Sequence, residues 1–221
     1  MKRIDRLPNS ARAFWESVAA KMTAKGRTWK ELQYDAHPIN RAREARLWQW
    51  CLREKQRGAR RVLEVGCAQG DFTAKLVERF DDVWAIDFCR PFAKQTKQRV
   101  PQATVRSVNV ETWHPLVEWD LIVASEVLEH LKDPVRVLEK WVPWASRLIV
   151  TMPICEKEPN PRAFDASLFM EAERIADASG HIWYPDGLDD ATHLIKRGGW
   201  NVIEAVQVGR SALILAEPLC E

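Results

Sequence analysis

The spacing of hydrophobic residues changes near Gly58, and this change divides the chain into two parts. From about residue 10 to residue 57, apolar side chains such as Val18 and Met22 recur at the spacing typical of amphipathic helices. The run His37-Pro38-Ile39-Asn40 interrupts this pattern, because proline lacks a backbone donor and restricts the residue before it. The first part of the chain is therefore predicted to contain two helices.

After Gly58, short apolar runs alternate with helical stretches. Strands that alternate with helices form a parallel sheet through right-handed crossovers. Strands are predicted over residues 61–65, 83–87, 104–109, 119–125 and 147–151, and helices over residues 71–80, 91–99, 134–141 and 188–196.

The end of the chain follows a different pattern. Two β-rich runs, Trp200–Val208 and Ala212–Ala216, are separated only by Gly209-Arg210-Ser211. So short a connection permits an antiparallel hairpin but not a crossover. The pattern predicts a doubly wound, mostly parallel α/β sheet that ends in an antiparallel hairpin. Residues 1–58 are expected to form an N-terminal helical cap, and residues 59–221 the sheet domain.

Composition narrows the class of protein. The 221 residues are 46% hydrophobic and 29% charged, a mixture typical of a folded domain. No apolar run approaches the ~20 residues that span a bilayer, and no secretory signal is recognisable. The five cysteines are scattered and include no C-x-x-C pair, which favours reduced thiols in the cytoplasm over a disulfide framework or zinc site.

Charge is distributed unevenly along the chain. Residues 1–61 carry 16 Lys and Arg against six Asp and Glu, whereas the remainder carries 17 against 25. A basic end is compatible with an anionic substrate, with RNA or with an acidic membrane surface, and equally with a solvated helical face.

A glycine turn joins the first predicted strand to the next helix, in the sequence Glu64-Val65-Gly66-Cys67-Ala68-Gln69-Gly70-Asp71. Such a turn lets the backbone approach a ligand. A carboxylate at Asp71 would repel the pyrophosphate of a dinucleotide at the helix start. The turn therefore favours a ligand with an ammonium and a carboxylate but no phosphate, such as the methionine half of S-adenosylmethionine.

Two further strand ends carry side chains suited to a nucleoside. Asp87 ends the second strand, at the distance from Gly66 where an acid accepts the ribose hydroxyls. Phe88 is placed to lie against an adenine face. Asn109 and Val110, after the third strand, are predicted to bond the adenine edge through an amide and a backbone N–H.

These motifs together resemble the class I S-adenosylmethionine-dependent methyltransferases over residues 60–221, and the runs that carry the likeness are VLEVGCAQGDFT, WAID, SVNVETW and WDLIVASEVLEHLKDP. The resemblance implies a seven-stranded sheet with an antiparallel last strand. It also implies a methionine site around Glu64, Gly66, Ala68 and Gly70, a ribose site at Asp87, an adenine site at Asn109, and Ser125 beside the transferable methyl. Ala68 replaces the family's usual glycine, and Asn109 its usual Asp.

The run Ser125-Glu126-Val127-Leu128-Glu129-His130 follows the fourth predicted strand. If it is helical, Glu126 and His130 share a face. Similar runs occur in ubiquinone-pathway O-methyltransferases and small-RNA 2′-O-methyltransferases. That resemblance implies Mg²⁺ or Mn²⁺ held by Glu126, Glu129, His130 and His181. Metal-free relatives carry the run too, so a catalytic base at His130, with Glu126 and His181 beside it, and a structural His130 both remain open.

Three functions are compatible with the sequence. The leading hypothesis is transfer of a methyl group to an oxygen or nitrogen of a small molecule, and the glycine turn and late Gly-His also resemble nodulation-type N-methyltransferases. The alternatives are a metal-dependent RNA-terminal 2′-O-methyltransferase and a non-catalytic adenosyl-binding module. Trp15 and Trp183 lie in the two segments expected to form the acceptor pocket. The sequence makes no prediction of oligomeric state.

Overall fold

The computed structural model describes residues 11–24, 38–115, 117–154 and 184–219. Seven strands form one sheet in the order β3-β2-β1-β4-β5-β7-β6. The strands are β1 (Arg61–Val65), β2 (Asp82–Asp87), β3 (Thr104–Ser107), β4 (Leu121–Ser125), β5 (Leu148–Pro153), β6 (Trp200–Val208) and β7 (Ser211–Pro218). The helices are α1 (Ala11–Ala24), α2 (Pro38–Gln56), α3 (Asp71–Val77), α4 (Arg90–Arg99), α5 (Pro134–Trp141) and α6 (Leu188–Arg197).

The first five strands pair in parallel, and β7 pairs antiparallel with both β5 and β6. The predicted α/β fold with a terminal hairpin is therefore confirmed. Gly209 turns the hairpin at φ 58°, a left-handed conformation that glycine adopts without a steric penalty. A register shift between Val202 and Glu204 interrupts the pairing of β6 with β7.

Each face of the sheet packs against helices. On one face the core contains Trp119, Leu138 and Trp200, which bring α5 and α6 onto the strands. On the other face α2 contributes Leu47 and Trp50, both 2% exposed. The second helix of the predicted cap therefore shares the core of the sheet. The boundary proposed at residue 58 stays a prediction.

Helix α1 belongs to neither of these two cores and packs in a smaller, separate cluster. Ala19 and Met22 of α1 pack against Cys89 and Phe92 at the start of α4. Val18 packs beside them, and nothing is described of the side chain of Phe14. This docking places α1 above the carboxyl ends of the parallel strands.

Some element bounds differ from the sequence predictions for identifiable reasons. Strand β3 ends at Ser107 rather than residue 109, because the Asn109 side chain accepts the backbone N–H of Glu111 and starts a turn. Strand β4 begins at Leu121 rather than residue 119, since Trp119 forms only an isolated bridge. Within the ranges given above, no helix combines the length and apolarity needed to cross a membrane.

Candidate active site

A cavity of about 580 Å³ opens where β1, β2 and β4 end. Because the carboxyl ends of parallel strands meet at one edge of a sheet, residues distant in sequence converge here. The lining includes all the predicted cofactor residues except Gly70, namely Glu64, Gly66, Ala68, Asp87, Phe88, Asn109, Val110 and Ser125. It also includes Glu126 and His130 of the predicted catalytic set, whereas His181 lies outside the described residues.

The glycine turn has a conformation that explains its composition. Gly66 has φ 79°, and a Cβ there would lie 2.5 Å from Cγ2 of Val127. Gly70 has φ 80°, and its Cβ would lie 2.8 Å from Cγ2 of Thr96. Both positions therefore require glycine. Ala68, between them, is also left-handed at φ 44°, so the replacement noted in the sequence is a strained one.

Hydrogen bonds fix the turn beside Asp87. The Ala68 amide donates to Asp87 Oδ2 at 2.8 Å, and the Cys89 amide donates to Oδ1 at 2.7 Å. On the other side, the Thr96 hydroxyl donates to the Ala68 carbonyl at 2.7 Å. Burial raises the pKa of Asp87 to about 6, although the hydrogen bonds from the two backbone amides oppose that shift. Asp87 thus links the β1 turn to the end of β2.

Glu64 is a buried carboxyl at the floor of the cavity. It is 5% exposed, and its Oε2 accepts the Thr73 hydroxyl at 2.5 Å. Burial raises its pKa to about 7, with smaller contributions from the nearby charges of Asp87 and Asp71. Asp71 is paired with Arg99 at 2.6 Å. A ligand that brings an ammonium group would stabilise the charged form of Glu64.

The loop after β3 is held in place by a lysine that sequence reasoning missed. Lys140 Nζ donates to the carbonyl oxygens of Val110, Glu111 and Trp113, at 2.8 to 3.2 Å. Asn109 Oδ1 accepts the Glu111 amide at 2.9 Å. That oxygen therefore shapes the loop, and its predicted contact with adenine stays a prediction.

The condition for Glu126 and His130 to share a helix face is not met, because no α-helix begins at Glu126. Glu126 has φ 55°, and its amide donates to the carbonyl of Thr151 on the neighbouring strand β5. The left-handed bend stops a helix from starting at the strand end, and only the short 3₁₀ turn Leu128–His130 follows. Glu126 and His130 both face the cavity nonetheless.

The partner of Glu126 comes from α2 and was missed in the sequence. Arg43 Nη1 lies 3.0 Å from Glu126 Oε2, and Thr151 donates its hydroxyl to Glu126 Oε1 at 2.9 Å. Arg43 is 7% exposed. Arg43 precedes Leu47 by four positions and Trp50 by seven, so it lies on the apolar face of α2. A charged residue on that face was the signal in the sequence that it has a buried partner.

His130 is half-buried beside an indole from α1. Its ring centroid lies 5.0 Å from that of Trp15, in an edge-to-face arrangement. The adjacent Glu129 is fully buried, and neither of its carboxylate oxygens has a hydrogen-bond partner within the described structure. Burial, with repulsion from Glu126, raises the pKa of Glu129 well above its ordinary value.

The described residues do not make a metal site on their own. No group of three or more His, Cys, Asp or Glu within them is placed to hold a metal ion. The two oxygens of Glu126 already contact a guanidinium and a hydroxyl, and a neighbouring guanidinium disfavours a cation. The predicted metal set of Glu126, Glu129, His130 and His181 stays a prediction.

Comparisons with known proteins identify the family. A family model described as a methyltransferase domain matches residues 29–205. Trans-aconitate 2-methyltransferase of an Azoarcus species is 28% identical over 170 residues, which cover 72% of this chain and 66% of that protein. The matches span about two fifths to just under two thirds of the length of the first curated relatives.

Solved structures share the fold. The N-methyltransferase NodS of Bradyrhizobium japonicum, in complex with S-adenosyl-L-homocysteine, has a TM-score of 0.67 at 19% identity and covers 93% of this chain and 98% of its own. The magnesium protoporphyrin IX methyltransferase of Synechocystis, with the same ligand, has a TM-score of 0.69 at 12% identity and covers 94% and 97%. The chain therefore belongs to the methyltransferase family, and its resemblance to the class I S-adenosylmethionine-dependent enzymes is confirmed.

Proposed function

We propose that this protein binds S-adenosylmethionine and transfers its methyl group to a small molecule. The observation that carries the proposal is the single cavity that joins the glycine turn and Asp87 to the wall formed by Glu126 and His130. One end of the cavity, at the glycine turn and Asp87, has the features of a site for a nucleoside and an amino acid. The other end is a polar wall that contains Glu126 and His130. A shared space of this kind lets a donor and an acceptor meet in line.

Each cofactor residue has a role that follows from its chemistry. The glycine at position 66 lets the backbone approach the amino-acid part closely, and the Glu64 carboxylate pairs with its ammonium group. Asp87 accepts the ribose hydroxyls, while Phe88 and Val110 enclose the adenine. S-adenosylmethionine supplies an electrophilic methyl on a sulfonium when it is bound.

His130 is the proposed proton acceptor, and Glu126 is not. Both oxygens of Glu126 are already engaged, one by the Arg43 guanidinium and the other by the Thr151 hydroxyl. His130 lines the cavity, and an imidazole nitrogen can accept a proton from an acceptor placed there. For a hydroxyl acceptor, the oxygen–methyl bond would form as the sulfur–methyl bond breaks and leaves a neutral thioether, and the hydroxyl proton would pass to His130.

A carboxylate acceptor is the second candidate. Several of the curated relatives are named trans-aconitate 2-methyltransferase, and Arg43 lines the cavity. A carboxylate is already ionised, so methyl transfer to it would need no base.

Calorimetric titration with S-adenosyl-L-homocysteine tests cofactor binding. We expect Asp87→Ala to weaken binding roughly 10-fold or more, because hydrogen bonds to a charged group are lost. Asp82→Asn is the matched control, since Asp82 lies at the opposite end of β2 and pairs with Arg61. Equal affinity in the Asp87 variant and wild type would contradict the ribose assignment.

Turnover distinguishes an enzyme from a binding module. Formation of S-adenosyl-L-homocysteine is measured with carboxylate, phenol, alcohol and amine acceptors in turn. Cofactor binding without turnover on any class would favour the non-catalytic alternative. The comparisons give no support to the RNA alternative, and steep salt dependence of RNA binding would be its signature.

The proposal includes the cellular location of the protein. Cys51, Cys67 and Cys89 are buried thiols, as expected of a protein from a reducing compartment, so we propose a cytoplasmic location.

A further inference from the structure

The loop after β3 already uses its carbonyl oxygens to hold its own conformation. The Asn109 carbonyl accepts the backbone amides of Thr112 at 3.1 Å and of Trp113 at 2.8 Å. The carbonyls of the next two residues, 110 and 111, accept the Lys140 ammonium group at 2.9 and 2.8 Å. Recognition of a ligand beside this loop therefore falls to its other polar groups.

The side chain of Asn109 has one polar atom left for a ligand, and that atom is a donor. Its Oδ1 accepts the Glu111 amide at 2.9 Å. Exchanging the two atoms of the side-chain amide would set an N–H group against an N–H group, so the hydrogen bond fixes this orientation. Asn109 lines the cavity, and nothing in the described part of the chain accepts a hydrogen bond from its Nδ2.

The backbone of Val110 adds a second donor. Val110 lines the cavity, and its amide has no acceptor among the residues that the structure describes. The edge of adenine carries an acceptor at N1 and a donor, the amino group at position 6. Two N–H groups of the loop match the acceptor N1, but they give the amino group no partner.

The loop also carries a carboxylate, which contacts a different segment. Glu111 lines the cavity, and its Oε1 accepts the Lys132 amide at 2.9 Å. This bond joins the loop after β3 to the segment that follows the 3₁₀ turn Leu128–His130. A contact of Glu111 with the amino group of adenine would be a separate mode of recognition, and its own variant distinguishes it from the mode at Asn109.

We propose that the purine site of this protein does not select the 6-amino group of adenine, because Asn109 and the Val110 amide both act as donors toward the base. Recognition of the base then depends on its ring acceptors and on apolar contact with Phe88. A site built to accept a hydrogen bond from a ligand rejects an analogue that lacks the donor, by roughly 10⁴-fold in strong cases. A site that offers donors has no such preference. The inference rests on the proposed function, because it concerns the same cofactor.

The experiment compares S-adenosyl-L-homocysteine with its 6-deamino analogue, in which a hydrogen atom replaces the amino group. Calorimetry gives the ratio of the two dissociation constants. In wild type, we expect the two constants to agree within roughly threefold, because removing the amino group breaks no hydrogen bond to the protein. A change in fold that weakens both ligands equally cancels in the ratio.

The variant Asn109→Asp converts the donor into an acceptor without changing the shape of the side chain. One carboxylate oxygen keeps the bond to the Glu111 amide, and the other takes the place of Nδ2. We expect this variant to prefer S-adenosyl-L-homocysteine by roughly tenfold or more, since the amino group gains a charged hydrogen-bond partner. Asn201→Asp is the matched control, because it adds the same charge at an exposed position on β6 outside the cavity lining.

Glu111→Gln should leave the ratio as in wild type. A wild-type preference of tenfold or more for S-adenosyl-L-homocysteine, an unchanged ratio in Asn109→Asp, or an altered ratio in Glu111→Gln would overturn the inference. In each of these cases the cofactor analogue still binds, so the proposed function stands. If wild type binds neither ligand, the proposed function itself fails and this inference fails with it.

Discussion

Ala68 is a strained residue in a turn that otherwise uses glycine. Its φ of 44° costs an L-residue about 1 kcal/mol or more. We expect Ala68→Gly to raise the free energy of unfolding by about 0.5 to 1 kcal/mol, as measured by urea denaturation. Ala74→Gly, within helix α3, should instead lower the free energy of unfolding by about 1 kcal/mol. A loss of stability in Ala68→Gly would contradict the assigned strain.

Glu64 should make cofactor binding depend on pH. Its raised pKa of about 7 means that the carboxyl is mostly neutral below that pH and ionised above it. Because the ammonium of the ligand pairs only with the ionised form, affinity for S-adenosyl-L-homocysteine should rise as pH increases through about 7. In Glu64→Gln, calorimetry should show that the rise near pH 7 is lost and that only the rise near pH 6 contributed by Asp87 remains. An unchanged rise near pH 7 in that variant would assign the effect elsewhere.

The sequence predicts the role of a residue when that role depends on its neighbours in the chain. The glycines at 66 and 70, and the acid at 87, follow from a strand–turn–helix pattern that is local. Arg43 does not, because its partner Glu126 is distant in the chain and only the packing of α2 on the sheet brings them together. The left-handed bend at Glu126 was missed for a related reason. It depends on a hydrogen bond to β5.

Helix α1 covers the cavity through a small contact surface. Ala19 is fully buried against the start of α4, while Trp15 and Val18 of the same helix line the cavity. We expect Ala19→Glu to weaken S-adenosyl-L-homocysteine binding roughly tenfold, because a buried charge would displace the helix. The free energy of unfolding should fall by less than about 1 kcal/mol, since the two main cores do not include α1.

Ala20→Glu provides the matched control for that experiment. Ala20 is exposed on the same helix, so its substitution should leave both affinity and stability unchanged. If Ala19→Glu and Ala20→Glu bind the ligand equally well, α1 is not part of the binding site.

Elements were predicted best where both periodicity and turn chemistry pointed the same way. The hairpin of β6 and β7 was recognised because so short a connection excludes a crossover. Ends were predicted less well, as β3 shows, because the Asn109 side chain competes with the strand for the backbone. Once these elements are known, few orders of the seven strands are possible, because parallel strands are joined by right-handed crossovers.

For the whole molecule, a buried glutamate joins α2 to the far end of the sheet from the cavity. Glu54 is 2% exposed, and it lies 3.5 Å from both Arg57 Nη1 and Arg147 Nε. Arg147 in turn pairs with Glu217 of β7 at 3.0 Å. This network attaches the helix that carries Arg43 to strands β5 and β7, so it supports the acceptor end of the cavity from a distance.

Glu54→Gln should therefore lower the free energy of unfolding by about 2 to 3 kcal/mol, since guanidinium groups lose a buried counter-ion. Urea denaturation measures this effect, and Glu139→Gln, at an exposed position on α5, should change stability by less than about 0.5 kcal/mol. Because α2 also lines the cavity, through Arg43 and Leu47, Glu54→Gln should also weaken binding of S-adenosyl-L-homocysteine, which calorimetry measures. Loss of stability with unchanged affinity would show that the network stabilises the fold without positioning α2 at the cavity.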